Sequence, residues 1–212
     1  MLPHTNIRLL SDVAHIRTGY TFREKVEEVE YKVGNARIAQ IKDVREIAKA
    51  SNSFLLDPSK LPVIDWQGKD KALVTSGTVI LPSRGSRGGY FQASCVVDAS
   101  EDSLPLVVTS QFLVLTPKAE VLPEFLCWSL NQPHIQFFLL EGPGSQGSSM
   151  AVMLNTSIGN EITLTIPSIE TQQKILQINQ LWEKEQRLTD ALMMNRKAML
   201  QGMFKQLLNE NN

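Results

Sequence analysis

Arg84 and Arg87 stand three residues apart in the run Pro82-Ser83-Arg84-Gly85-Ser86-Arg87-Gly88-Gly89-Tyr90. The glycines let the backbone come close to a ligand, and a planar guanidinium donates in pairs to a phosphate or to the edge of a guanine. Ser83, Ser86 and Tyr90 add hydroxyls to the same stretch. A second cluster, Arg17, Thr18, Tyr20, Thr21, Arg23 and Lys25, mixes cations with hydroxyls around Gly19, a composition that satisfies phosphate oxygens. A third, Ser145, Gln146, Ser148 and Ser149, offers donors and acceptors without charge inside the polar segment 142–149. All three read as loops, where contacts to a large ligand are usually placed on a rigid scaffold. The same compositions also suit solvated turns and, in the third case, a linker.

Covalent or metal chemistry has less to work with. His4, His15 and His134 are scattered, with no carboxylate pair or cysteine at ligand spacing around them, so neither a metal site nor a nucleophile triad is indicated. Cys95 and Cys127 sit in apolar surroundings that suit small buried thiols. The Ser-Arg-Gly run lacks the lysine of a phosphate-binding P-loop, and no Asn-Pro-Pro-Tyr methyl-transfer signature occurs. Asp57 with Gln67-Gly68-Lys69 resembles the acid and lysine groups of some magnesium-dependent nucleases, but a glutamine in place of a carboxylate weakens ion binding. The expectation is a chain with no catalytic residue, no metal and no cofactor of its own.

The elements that must position these clusters follow from pattern. Arg37 to Ile41 alternates as a strand does, and Asp43 to Ala50 suits a short helix. Strand-like runs rich in Val, Leu and Ile cover 72–81, 93–98 and 106–115, and Ile158 to Ile166 alternates once more. Pro123 opens a helical segment broken near Asn131-Gln132-Pro133, with Phe125, Leu126, Trp128, Leu130, Ile135, Phe137 and Phe138 as expected core. Lys plus Arg total 21 against 22 Asp plus Glu, a formal charge of -1, so any anionic partner must be met by local patches. Residues 1–10 lack the apolar core of a signal peptide, and no stretch approaches the ~20 apolar residues of a membrane span. A cytoplasmic protein with no membrane partner is expected.

After Pro167 no proline interrupts the chain, and the sequence reads as one amphipathic helix of about 60 Å at a rise of 1.5 Å per residue. Ser168 is its expected N-cap. Stepping alternately three and four from Ile178 gives Leu181, Glu185, Leu188, Leu192, Asn195, Met199, Gly202 and Gln206, so five of nine seam positions are apolar. A stripe of that length calls for another helix. Polar residues at Glu185, Asn195 and Gln206 would set register and partner number at some cost in stability.

The order of these pieces resembles the specificity subunit of Type I restriction-modification systems, and more closely one half of it. The residues that carry the resemblance are Asp12 through Phe22, Ile38-Ala39-Gln40-Ile41-Lys42-Asp43-Val44, Ser83-Arg84-Gly85, Gly144-Ser145, and Ile166-Pro167-Ser168-Ile169-Glu170-Thr171-Gln172-Gln173-Lys174-Ile175 leading into the seam. It implies an α+β fold: a mixed, sheet-rich target recognition domain over 1–166, followed by one long C-terminal helix over 167–212 that pairs as an antiparallel coiled coil. Family members typically carry two recognition domains, each followed by a long helix, whereas this sequence has one of each. The resemblance therefore implies either a half-length form that homodimerises through Ile178, Leu181, Leu188, Leu192, Asn195 and Met199, or a fragment of a longer chain. It also implies a non-catalytic subunit that binds double-stranded DNA and docks modification (methyltransferase) subunits, with a restriction subunit as a further partner. S-adenosylmethionine would belong to the methyltransferase. The rival readings are a coiled-coil scaffold that binds no DNA, and a nuclease using Asp57 and Lys69.

Overall fold

The computed structural model describes residues 6–51, 53–86, 90–101, 104–141 and 151–209. The chain divides into two compact units, Met1–Lys174 and Ile175–Asn212. The first opens with β1 (Ile7–Leu9), a single helical turn α1 (Leu10–Val13), β2 (Ala14–Thr18), β3 (Ala36–Ala39) and α2 (Ile41–Ser51). Short strands follow as β4 (Leu55–Leu56), β5 (Val63–Ile64), β6 (Leu73–Val74), β7 (Val79–Pro82) and β8 (Arg84–Ser86). Next come β9 (Ser94–Val96), β10 (Leu106–Val108), β11 (Phe112–Pro117), the helices α3 (Pro123–Leu130) and α4 (Pro133–Glu141), then β12 (Ala151–Met153) and β13 (Thr163–Thr165). A last helix, α5 (Ile169–Asn209), begins in the first unit and forms the second. The fold is thus mixed α and β, sheet-rich, with one long C-terminal helix.

Phe112-Leu113-Val114-Leu115 of β11 are all buried, as a continuous apolar run requires when both faces are covered. This strand lies inside a five-stranded sheet ordered β2-β11-β7-β9-β4. Both β2 and β7 run antiparallel to it, with Thr18 opposite Leu113 and Pro82 opposite Phe112. Hence the C-terminal ends of β2 and β7 flank the N-terminal end of β11. A four-stranded sheet, β5-β3-β10-β6, lies alongside, its β3 and β10 parallel. Side-chain alternation divides the interior: Leu106 and Val108 join Val44 of α2 with Ile80, Phe112 and Val114, while Val107 faces the other way onto Ile38, Ile64 and Trp66.

Several expectations change in detail. The run 72–81 is two strands, β6 and β7, that belong to different sheets, and 106–115 likewise divides into β10 and β11 at the Thr109-Ser110-Gln111 turn. Each run is apolar at its ends and polar in its middle, at Thr75-Ser76-Gly77-Thr78 and at Thr109-Ser110-Gln111, and those polar stretches are where the chain changes sheet. Of 158–166 only Thr163–Thr165 is strand, because Asn155 caps a 3-10 helix over Thr156–Asn160 by accepting from the Ser157 amide at 2.9 Å. Phe137 is 69% exposed. It lies about 200° round α4 from the buried Ile135, so a short helix docked on one side cannot bury both. The break between α3 and α4 falls at Asn131-Gln132 as expected.

The Pro-to-helix junction owes its geometry to one side chain. Gln172 is fully buried; its Oε1 accepts from the Leu122 amide at 2.9 Å, and its Nε2 donates to the Glu120 and Pro167 carbonyls, each at 2.9 Å. Every hydrogen-bonding group of that amide is therefore used to fix the first turn of α5 on the first unit. Ser168 Oγ accepts from the Thr171 amide at 3.4 Å, a long N-cap contact. Along the second unit Ile178, Leu181, Leu188, Asn195 and Met199 are exposed, as is Leu192 at 49%. No described helix is long and apolar enough to cross a membrane.

Candidate nucleic-acid interface

The strand order brings the start of the first two sequence-selected clusters toward one end of the five-stranded sheet. Gly19 N–H donates to the Phe112 carbonyl at 3.0 Å, and Ser83 N–H donates to the Gln111 carbonyl at 2.7 Å. The first and second clusters therefore leave the sheet on either side of the same β11 terminus.

The first cluster is partly structural. Arg17 lies within β2 and its Nη2 donates to the carbonyls of Leu73 at 3.2 Å and Ala72 at 3.4 Å, while burial lowers the guanidinium pKa from its ordinary value. Its donors tie β2 to β6 instead of facing outward. Gly19 is held so tightly that a Cβ there would sit 2.2 Å from the Thr109 carbonyl oxygen. Tyr20 N–H donates to Val108 O at 2.7 Å, and the Tyr20 ring meets Phe22 and Trp66 edge-on at centroid distances of 5.0 and 4.8 Å. This aromatic trio rigidifies the exit of β2, and sequence reading passed over Trp66. Thr18, Thr21, Arg23 and Lys25 are exposed, but so are Glu24, Glu27 and Glu28 beside them. The local field therefore favours a phosphate less than the cations alone suggest.

The second cluster enters a two-stranded ribbon. Strand β8 pairs antiparallel with β12, setting Arg84 opposite Met153, Gly85 opposite Val152 and Ser86 opposite Ala151. Alternation turns Val152 inward, where it is buried, and leaves Arg84 and Met153 exposed. Ser83 is spent on this junction: it is buried, its hydroxyl donates to Ser110 O at 3.2 Å, and its carbonyl accepts from Leu154 N–H at 2.8 Å. Tyr90 is 46% exposed and donates its hydroxyl to Asn131 O at 2.6 Å, and burial raises its pKa. Arg87, Ser145, Gln146, Ser148 and Ser149 lie outside the described residues. Met153 and the β8-β12 pairing were missed in the sequence, since three-residue strands about 65 positions apart leave no periodic signal.

Groups that might have done other chemistry are committed elsewhere. Burial alone would raise the Asp57 pKa, but hydrogen bonds from Ser100 and Ser59 outweigh it and hold the carboxyl at about 2. Its Oδ1 accepts from Ser59 N–H at 3.0 Å and Ser59 Oγ at 2.7 Å, and its Oδ2 accepts from Ser100 Oγ. Asp57 thus caps the 3-10 turn Pro58–Lys60. Gln67 donates to Asp65 at 2.8 Å, so Asp57 and Gln67 of the suggested nuclease set are engaged by local structure. Burial pushes the Cys95 thiol up to about 12, which leaves no thiolate for nucleophilic work near neutral pH. Among the described residues no group of three or more His, Cys, Asp or Glu could hold a metal ion.

Because the folded pKa of Asp57 lies below its unfolded value of about 3.9, the carboxylate stabilises the fold above about pH 4. That contribution fades as pH falls from there through about 2. Asp57→Asn is expected to lower stability near pH 6 and to flatten the loss between pH 4 and 2. Urea unfolding across that range measures it; an unchanged slope would mean the serine contacts do not stabilise the charged form.

The family model described as Type I restriction modification DNA specificity domain matches residues 5–189. The fold is similar to the HsdS subunit from Thermoanaerobacter tengcongensis, with a TM-score of 0.60 and 14% identity over 90% of this chain and 40% of that one. It is also similar to a chain from a study of complex assembly and conformational transition of the type I R-M system, with a TM-score of 0.59 and 14% identity over 98% of this chain and 44% of that one. The chain thus spans less than half the length of either structure. No curated protein matches it in sequence.

Proposed function

Because the chain belongs to the Type I restriction modification DNA specificity domain family, we propose that its first unit reads one half-site of a double-stranded DNA target and that α5 pairs with a second copy. The observation that carries this reading is the β8-β12 ribbon: it presents Arg84 at the sheet end from which the Thr18 to Lys25 segment also leaves. A protein of near-zero net charge needs such a local arrangement to meet phosphates and base edges. Two-fold pairing would set two reading units a fixed span apart, matching an inverted repeat with a spacer.

The chain does no chemistry in this reading, and the methyl donor S-adenosylmethionine is bound by a modification subunit. One seam is enough for a two-helix pair, yet Met193, Met194, Leu200 and Phe204 also lie exposed on α5. This additional apolar surface supports a second contact, with the modification subunit and, through it, a restriction subunit. Work on DNA with those partners places the protein in the cytoplasm. The exposed acids beside the first cluster and the breadth of apolar surface on α5 favour, as the second reading, a scaffold that binds protein alone.

A mobility-shift assay of the full chain with and without a methyltransferase subunit, over a salt series, separates the two. Specific binding is expected to weaken with salt at a slope of roughly 0.9 log unit per phosphate contacted. Absence of binding under either condition would favour the scaffold.

A further inference from the structure

The ribbon that carries Arg84 rests on a seat built by side chains of the α3-α4 junction. Downstream of β8 the chain passes through Tyr90 to Ala93 before entering β9, and among the described residues no strand satisfies the backbone groups of Phe91 and Ala93. Two side-chain amides do so instead. Gln136 Oε1 accepts from Phe91 N–H at 2.8 Å, and its Nε2 donates to Phe91 O at 3.0 Å and to Leu130 O at 2.8 Å. Two residues on, Asn131 repeats the pattern with Ala93 N–H at 2.9 Å and Ala93 O at 3.0 Å, and donates to Cys127 O at 3.0 Å. Residues 91 and 93 are thereby held as a neighbouring strand would hold them.

Phe91 is fully buried and lies directly beneath Gly85. A side chain at position 85 would begin 2.7 Å from Phe91 Cζ and 3.0 Å from Cε2, closer than carbon atoms pack. Gly85 is the central residue of β8 and stands opposite Val152, itself buried, in β12. Gln136 thus sets the position of the Phe91 ring, and the ring sets the height of the ribbon.

We propose that Gln136 and Phe91 are positioning residues for sequence readout: they fix where the β8-β12 ribbon places Arg84, so that seating of the ribbon, and not only the identity of its side chains, determines which bases are selected. This rests on the reading of the ribbon as a DNA-binding element. Correct hydrogen bonds to base edges need their donors held to within a fraction of an ångström, whereas attraction to phosphates tolerates more displacement. A shifted seat should therefore damage selectivity first.

The test uses the full chain. Duplexes enriched from a random pool by the unaltered protein define its target, and affinities for target and unrelated duplex are compared across variants. Gly85→Ala lifts the ribbon without touching either amide. Its target-to-unrelated affinity ratio is expected to fall tenfold or more while unrelated binding changes less than twofold, and adding Phe91→Leu should recover most of the ratio by making room. Gln136→Met is expected to behave like Gly85→Ala and to speed amide hydrogen exchange in β8 and β12, but not in β7 and β11. Should Gln136→Met not fold, Gly85→Ala and its rescue decide alone. An unchanged ratio in folded Gly85→Ala, equal loss on both duplexes, or failure of Phe91→Leu to rescue overturns the proposal. Failure of the unaltered chain to enrich any sequence overturns the underlying DNA reading instead. The cases are distinguishable because exchange in β8 and β12 reports the seat without DNA.

Discussion

Leu188→Glu combined with Leu192→Glu is expected to make the chain sediment as a monomer at concentrations where the unaltered protein is a dimer. Both leucines are exposed in the single chain, by 62% and 49%, and stand four apart on the seam begun at Ile178. A symmetric pair would bury four such side chains, each contributing roughly 1.5–3 kcal/mol when fully removed from water. Their sum is comparable with the roughly 8 kcal/mol that holds a micromolar dimer. Glutamates in the same places add unpaired charge to an apolar seam, so pairing should be lost outright. Binding to a two-half-site duplex is expected to weaken by about a hundredfold or more as bivalent engagement disappears. Circular dichroism should show the helix retained. A doubly substituted chain that remains dimeric would remove the coiled-coil pairing of α5.

Arg84→Ala should cost about 1–3 kcal/mol of binding if its guanidinium reads a base edge, with selectivity relaxed at one position of the target. Equal weakening on every sequence, accompanied by a salt slope lower by about 1, would make it a phosphate contact. Arg84 is the informative choice because it is exposed and no interaction with a protein group accompanies it among the described residues, so its removal leaves the fold intact. Arg17 is the useful contrast. Its donors bind the Ala72 and Leu73 carbonyls, so Arg17→Ala acts first on the contact between β2 and β6.

How far the site could be read from residues differs among its parts. The exposure of Arg84 was legible because a guanidinium beside glycines is seldom buried. That Ser83 would be buried and bonded to Ser110 was not legible, since a hydroxyl looks the same in sequence whether it faces a ligand or a carbonyl. Asp57 misled for the same reason: a carboxylate near a lysine suggests ion chemistry, yet Ser59 and Ser100, the latter 43 residues away, use its oxygens. Gln136 drew no notice within an apolar helix, although a lone amide among Ile135, Phe137 and Phe138 was the available signal for a buried polar contact.

From the residues alone came the sheet-rich first part, the break at Asn131-Gln132-Pro133, the buried thiols, the single long helix and the order of motifs that marks the family. Each is a local property: propensity, capping, period and composition act over a few neighbours and survive without knowledge of the fold. Only tertiary structure decided that β6 and β7 enter different sheets, that the loops after β2 and β7 leave beside one strand end, and that β8 finds β12 across 65 residues. Those outcomes depend on which distant backbone groups satisfy one another and which faces exclude water together. Such choices are made by the whole packed chain, because short apolar strands are interchangeable until the core assigns each of them a partner.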